Sequence, residues 1–358
     1  MKRIPNAVPK RTPTQADVAR AAGVTATTVS WALRNDPRIT AETQSRVWKA
    51  ARALGYRPDP MLSALVARRD RGARRRSAAN LLALVDDRWQ ATRMTVWHQS
   101  FIDGMEAACE RFGYSLDVLH IFRDIGSHRE PDRMLHARSI RGIVLLPLYS
   151  HEVSLKLQWD RYSVVAVGNL PESLPFHRVG SDAFDAIQVV CDRLYQLGYR
   201  RIGLAHSGVA EKRLRYEWLG AILKEAHIDP PRFDIVPPHI PFDFSEETFR
   251  EWVVRHRPEA VISNHPPVIE WLGTAGIKVP EDIGVALLSR DSTDTPAGGI
   301  SQHLDLAGDT AVEQLHTLLL RGERGFPSMP KEILIRPHWA DGPTLKNMDE
   351  LFHKKLRE

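Results

Sequence analysis

Cysteine is scarce in this chain: 358 residues carry only Cys109 and Cys191. Two thiols cannot supply the disulfide framework of a small secreted domain, and the count fits a reducing compartment. No run of about eighteen apolar residues occurs, so no membrane-spanning helix and no membrane partner are expected. The opening stretch MKRIPNAVPKRTP is basic but lacks the apolar core of a secretory signal, so a cytoplasmic location is expected. Catalytic signatures are missing as well. There is no GxSxG elbow, no P-loop and no GxGxxG after a strand. The histidines show no metal spacing: His136, His151 and His177 fall in irregular or surface stretches, and His338 is isolated in a terminal strand. Neither an enzyme, a metal site nor a cofactor is expected. Internal repeats are absent, and low complexity is confined to one arginine run.

What is present is unevenly distributed. The net charge of +5 conceals a basic beginning, residues 1–76, with 17 Lys and Arg against 5 Asp and Glu. The remainder has 32 Lys and Arg against 39 Asp and Glu. A basic head on an acidic body points to nucleic acid at the head alone. The length suggests two or three domains, and a hydrophobic content of 43% is enough for a sizeable core.

Residues 14–66 read TQADVARAAGVTATTVSWALRNDPRITAETQSRVWKAARALGYRPDPMLSALV. Thr14 caps a first helix, with Asp17 in the reciprocal box position. Val18, Ala19 and Ala22 line its apolar face, and Gly23 breaks it. Thr25 caps a second helix with the stripe Val29, Ala32 and Leu33. Asn35-Asp36-Pro37 is a turn. Thr40 caps a third helix with Thr43, Val47, Ala50, Ala51 and Leu54 inward, stopped by Gly55. Helix, glycine turn, helix and a buttressing third helix make a helix-turn-helix unit. The outward face of the second helix carries Thr27, Trp31 and Arg34, flanked by Ala26, Thr28 and Ser30. Small hydroxyl side chains suit phosphate oxygens and thymine methyls. Without a DNA partner, the same stretch would be a small solvated three-helix cluster.

Asp17-Val18-Ala19, Ala22-Gly23-Val24, Thr28-Val29-Ser30, Pro37-Arg38-Ile39 and Leu54-Gly55-Tyr56-Arg57-Pro58 carry a resemblance. Their order and spacing are similar to the DNA-binding end of the lactose/galactose repressor family of bacterial regulators. The resemblance implies DNA contacts from Thr14, Thr25, Ala26, Thr27, Thr28, Ser30, Trp31, Arg34, Arg38 and Tyr56. Trp31 stands where many members have arginine, so bidentate reading of guanine is lost there and the operator cannot be copied from a relative. Asp59 and Pro60 can open a further short helix. The resemblance makes this the hinge helix, folded only on DNA, with Leu65 and its neighbour Leu62 as minor-groove wedges. The following run, Arg68, Arg69, Arg71, Arg74, Arg75 and Arg76, reads either as a solvated linker or as phosphate contacts.

From residue 81 the pattern changes to short apolar runs alternating with amphipathic helices. Strands are expected at 81–85, 116–121, 142–146, 164–167, 201–205, 260–263 and 284–288. Helices are expected at 97–112, 131–139, 182–197 and 214–226. Such alternation gives parallel sheets covered on both faces. LYQLGYRRI (194–202), RYEWLGAILKEAHID (215–229), VPEDIGVALLSRD (279–291) and ISQHLDLAG (300–308) resemble the two-lobed core of the same family. That core is shared with periplasmic sugar-binding proteins. The expected fold is thus an all-α helix-turn-helix head (1–57) and a hinge helix with linker (58–79). An α/β two-lobed periplasmic-binding-protein-like core (80–342) and a tail (343–358) follow.

The resemblance also implies an effector site between the lobes, with Arg215 clamping oxygens and Asn264 and Asp291 at strand ends. Trp97 and His98 form an aromatic pair opening the first helix of the core, where Trp97 reads equally as packing. Two sugar-holding acids of the family are replaced: the fourth strand ends Val167-Gly168-Asn169, and Asn264 is followed by His265. An anionic or acceptor-rich ligand is therefore expected, such as a sugar acid, a phosphorylated sugar or another polar metabolite. The tail has Leu351 and Leu356 but no sustained heptad, so a homodimer on a palindromic operator is expected. The function implied is an effector-responsive DNA-binding regulator, a repressor. A ligand-independent regulator, a solute-binding protein and a DNA-packaging protein are the alternatives.

Overall fold

The computed structural model describes residues 13–33, 38–54, 56, 80–91, 96–149, 155–290 and 296–348. These fall into two compact units, one built on the head and one on a two-sheet core. The expected hinge at 58–79 lies outside the described residues.

The head consists of α1 (Gln15–Ala22), α2 (Ala26–Leu33) and α3 (Ala41–Ala53). Their ends follow from local chemistry. The Thr14 backbone N–H and hydroxyl both donate to Asp17 Oδ2, at 2.9 and 2.7 Å. Gly23 closes α1 at φ +64°, a left-handed geometry that costs glycine nothing sterically. Thr25 Oγ1 accepts from the Thr28 N–H at 3.1 Å, and Thr40 Oγ1 from the Thr43 N–H at 3.4 Å. Helices this short are not stable alone. They are held by a shared cluster of Val18, Ala19, Ala22, Val29, Ala32, Val47 and Ala51. Leu54, expected inward, is 39% exposed. It caps α3 beyond the last helical turn, and Tyr56 packs against the cluster instead.

The core contains two six-stranded sheets. The first is formed by β1 (Asn80–Val85), β2 (Ser115–His120), β3 (Ile140–Leu145), β4 (Ser163–Val167), β5 (His177–Ser181) and β11 (Glu332–Ile335). The second is formed by β6 (Arg201–Leu204), β7 (Asp234–Ile235), β8 (Ala260–Ser263), β9 (Gly284–Leu287), β10 (Gly298–Ser301) and β12 (His338–Ala340). The orders are β11-β5-β4-β3-β1-β2 and β12-β10-β9-β8-β6-β7, parallel throughout except for the β10–β12 pair. The first strand of each sheet therefore lies inside it, leaving a switch point between β1 and β3 and another between β6 and β8. At such points ligands bind beyond the carboxyl ends of the strands. β1, β3, β4, β8 and β9 are almost wholly buried apolar runs because helices cover both faces.

The accompanying helices are α4 (Val96–Phe112), α5 (Pro131–Ala137), α6 (Ala183–Gln196), α7 (Gly208–Arg213), α8 (Glu217–Ala226), α9 (Glu246–His256), α10 (Val268–Thr274) and α11 (Leu304–Arg321). The chain passes between the sheets after β5, after β10 and after β11, so neither lobe is continuous in sequence. α6 buries Ile187, Val190 and Leu194 in the second lobe, although it follows a strand of the first. α11 reaches back to the first lobe. A Cβ at Gly104 would run into the Asp305 carbonyl and one at Gly308 into that of Phe101, so α4 and α11 cross in backbone contact.

Two expectations change here. The helix expected at 214–226 starts late: a separate helix, α7, ends at Arg213, and Arg215 and Tyr216 adopt left-handed φ of 57° and 63° before α8 begins at Glu217. Residues placed in the tail belong to the core. Thr344 Oγ1 donates to Val285 O at 2.7 Å and accepts from the Gly298 N–H at 2.9 Å, and the Met348 N–H donates to Leu197 O at 2.8 Å.

Candidate functional site

On the head, α2 presents Ala26 and Thr27, exposed, with Thr28, Ser30 and Trp31 partly covered. Thr25 is exposed at the start of the helix and binds Thr28 through both its hydroxyl and the Thr28 N–H. The exposed Arg38 brings its guanidinium over the Trp31 ring, 4.3 Å from the centroid. A cation held on an aromatic face is ordered by it. Thr14 is committed to capping α1, and Tyr56 to packing against the head cluster. Arg34, Leu62 and Leu65 lie outside the described residues.

In the core, strand ends from both lobes converge on a cleft that is partly open to solvent. Its first wall starts just after β1. Asp86 is fully buried and accepts from the Arg88 N–H, Nε and Nη2 at 3.1, 2.9 and 2.6 Å, and from the Tyr149 N–H at 3.0 Å. Burial alone would raise this carboxyl, but the bonds from Arg88 and Tyr149 outweigh it and hold the group below its ordinary range. The turn so fixed delivers Trp89 to the cleft. Its Nε1 donates to Pro147 O at 2.9 Å, and its ring meets Tyr149 edge-to-face at 5.1 Å.

Arg213, the last residue of α7, lies across that ring at 4.7 Å and donates through Nη1 to Leu148 O at 3.3 Å. Burial pulls its pKa down to about 10, so it stays charged at neutral pH. Asn169, Asn264, Ser181, Ser289 and Gln302 add polar groups, and Phe101, Trp218 and Leu304 add apolar ones. Gln302 is oriented by donation to Leu288 O at 2.8 Å. Arg178 also lines the cleft, but its Nη2 is paired with Glu332 at 2.7 Å.

The expected effector residues are only partly assembled here. Asn264 lines the cleft. His98 is buried and meets Trp89 edge-to-face at 5.8 Å, and desolvation lowers its pKa to about 4, so it backs the wall as a neutral ring. The Trp97 side chain and Asp291 lie outside the described residues. Arg215 is not among the lining residues: the left-handed turn after α7 leaves it exposed, and Arg213 occupies the cleft in its place. His265 lies instead in an aromatic cluster, 5.4 Å from Phe244 and 4.9 Å from Trp271. Sequence reasoning missed Trp89, Arg178, Arg213 and Gln302. The switch-point rule could have drawn attention to Trp89, just beyond β1, and to Gln302, just beyond β10.

Comparison with known proteins completes the picture. The model for "Bacterial regulatory proteins, lacI family" matches residues 14–59, and that for "Periplasmic binding protein-like domain" matches 191–342. The HTH-type transcriptional regulator PtxS of Pseudomonas putida is 34% identical over 191 residues, 53% of this chain and 52% of that one. The match thus spans about half the length of that relative. The HTH-type transcriptional repressor PurR of Klebsiella pneumoniae is 25% identical over 91% of this chain and 97% of its own. Among solved structures, the lac repressor dimer bound to operator and the anti-inducer ONPF aligns with TM-score 0.56 and 16% identity, covering 94% of this chain and all of that one. The CelR–cellobiose complex aligns with TM-score 0.53 and 19% identity, covering 93% and 99%. At these identities the structures speak for the fold. The head thus carries a lacI-family helix-turn-helix domain and the core a periplasmic-binding-protein-like domain, in the order found along the regulators this chain resembles.

Proposed function

We propose that this chain is a sequence-specific DNA-binding transcription regulator whose operator affinity is set by a small polar effector in the interlobe cleft. The observation that carries the reading is the head. A capped helix-turn-helix presents Thr25, Ala26, Thr27, Trp31 and Arg38 outward, within a region of strong positive charge. Thr28 and Ser30 supply further hydroxyls to phosphates, and Arg34 is a further candidate contact. Leu62 and Leu65 act from the hinge as minor-groove wedges. A dimer suits a palindromic operator, as in the lac repressor dimer–operator complex. In the cleft, Asn264 and Arg213 hold the effector with Trp89 as a stacking surface. Buried donors without partners favour a ligand-binding cleft over a degenerate one.

Selection from a random pool of duplexes, followed by footprinting, tests this. The expected result is one enriched inverted repeat protected by the protein. Recovery of unrelated sequences with no protected repeat contradicts it.

A further inference from the structure

The charges around the cleft do not balance. Arg178 is matched by Glu332, and Asp86, behind the wall, by Arg88. Arg213 has no carboxylate partner among the described residues: it touches the Leu148 carbonyl and the Trp89 face, and its Nε is buried with no acceptor. Two neighbours in the lining are also unsatisfied. Trp218 Nε1, a pure donor, and Ser181 Oγ are buried with no partner. No Asp or Glu lines the cleft among the described residues. Burying the Arg213 cation is costly, since the Asp86 charge acts on it only from behind the wall, and the spare donors and positive charge of the described lining are completed by an acceptor carrying one negative charge.

We infer that the cleft takes a small monoanionic carboxylate, its carboxyl group paired with the Arg213 guanidinium and its other oxygens held by Asn169, Asn264 and Gln302. The inference rests on reading the cleft as the effector site. The planar fork of the guanidinium matches a carboxylate in two parallel bonds. A phosphate ester brings a charge of roughly −1.5 to −2 at neutral pH, more than the single uncompensated arginine offsets. A neutral sugar leaves the Arg213 charge unpaired. Trp89, Phe101 and Leu304 give the carbon skeleton an apolar surface. The anchoring residue is Arg213 rather than Arg215 because the chain turns left-handed at Arg215 and Tyr216.

The test is calorimetric titration of the full chain with glycerate, gluconate and galacturonate. Each is compared with its neutral counterpart (glycerol, sorbitol, galactose) and with a phosphate ester (glycerol 3-phosphate, glucose 6-phosphate, galactose 6-phosphate). At least one carboxylate should bind about 100-fold more tightly than its neutral and phosphorylated counterparts. Arg213→Gln should lose about 100-fold, the scale expected when a buried charge pair is broken. Arg213→Lys, which keeps the charge but not the fork, should fall between and guards against a misfolded Gln variant. Arg215→Gln should bind as wild type. The inference is overturned if no carboxylate binds, if a neutral or phosphorylated counterpart binds equally well, or if Arg213→Gln and Arg213→Lys both bind unchanged. Parallel operator-binding measurements separate the two readings. A carboxylate that binds through Arg213 without changing operator affinity supports the inference and removes the effector role. A neutral ligand that changes operator affinity keeps the effector role and overturns the inference.

Discussion

Head and core fix their helices by different means. In the head, each helix start is set by a threonine whose hydroxyl bonds a group three residues away, at Thr14, Thr25 and Thr40. In the core, the joint between α7 and α8 is held from farther off. Glu211 accepts the Leu219 N–H at 2.9 Å and approaches His206 Nε2 at 2.8 Å, with both side chains fully buried. The joint itself runs through two left-handed residues that are not glycine, and non-glycine residues in that region persist only where the surroundings over-determine them. Local rules therefore shape the surface proposed to meet DNA, whereas tertiary contacts shape the cleft.

The sharpest way to separate the two is Asp86→Asn. It leaves Arg88 without its carboxylate and should lower the stability of the core by about 3 kcal/mol, with the head unchanged. Urea unfolding followed by hydrogen exchange in each region checks this, and equal loss in both regions would erase the distinction.

Acid should act on the same side. Burial lowers His98 and His265 to about 4 from 6.5, so both are neutral in the fold. Between those values the unfolded chain binds more protons, so core stability rises with pH through that window; the contribution is complete above 6.5 and gone below about 4. The gain should be on the order of 3 kcal/mol for the buried His98, with a smaller part from the partly exposed His265. Residues 1–57 contain no histidine, so the head should lack this contribution. The double variant His98→Gln, His265→Gln should flatten the profile of the core; an unchanged slope would assign it to other groups.

A smaller effect is expected at the α4–α11 crossing. Gly308→Ala forces a Cβ against the Phe101 carbonyl and should cost about 2 kcal/mol, read as a lower thermal midpoint of the core. The smallest belongs to the head. Thr14→Ala removes the hydroxyl to Asp17 and should cost about 1 kcal/mol there and nothing in the core, by amide exchange.

This division also explains what could be read from the sequence. The three head helices were legible because their caps and breakers are neighbours in the chain. The strands β1, β3, β4, β8 and β9 were legible as buried apolar runs. β5 (HRVGS) and β10 (GGIS) were not, since polar residues and glycines give them no apolar pattern and their partners come from elsewhere in the chain. In the site, Asn264 follows an apolar strand and could be placed. Arg213 could not, because the choice between it and Arg215 depends on a backbone turn with no glycine to signal it.

The most direct test of the account is the affinity of the full chain for its selected repeat against scrambled DNA, measured by fluorescence anisotropy across salt concentration. The account predicts a specific complex at least about 1000-fold tighter than the scrambled one. It also predicts that log K falls steeply with log salt, by about 0.9 for each phosphate neutralised. Equal affinity for repeat and scrambled duplex, or binding indifferent to salt, would contradict it.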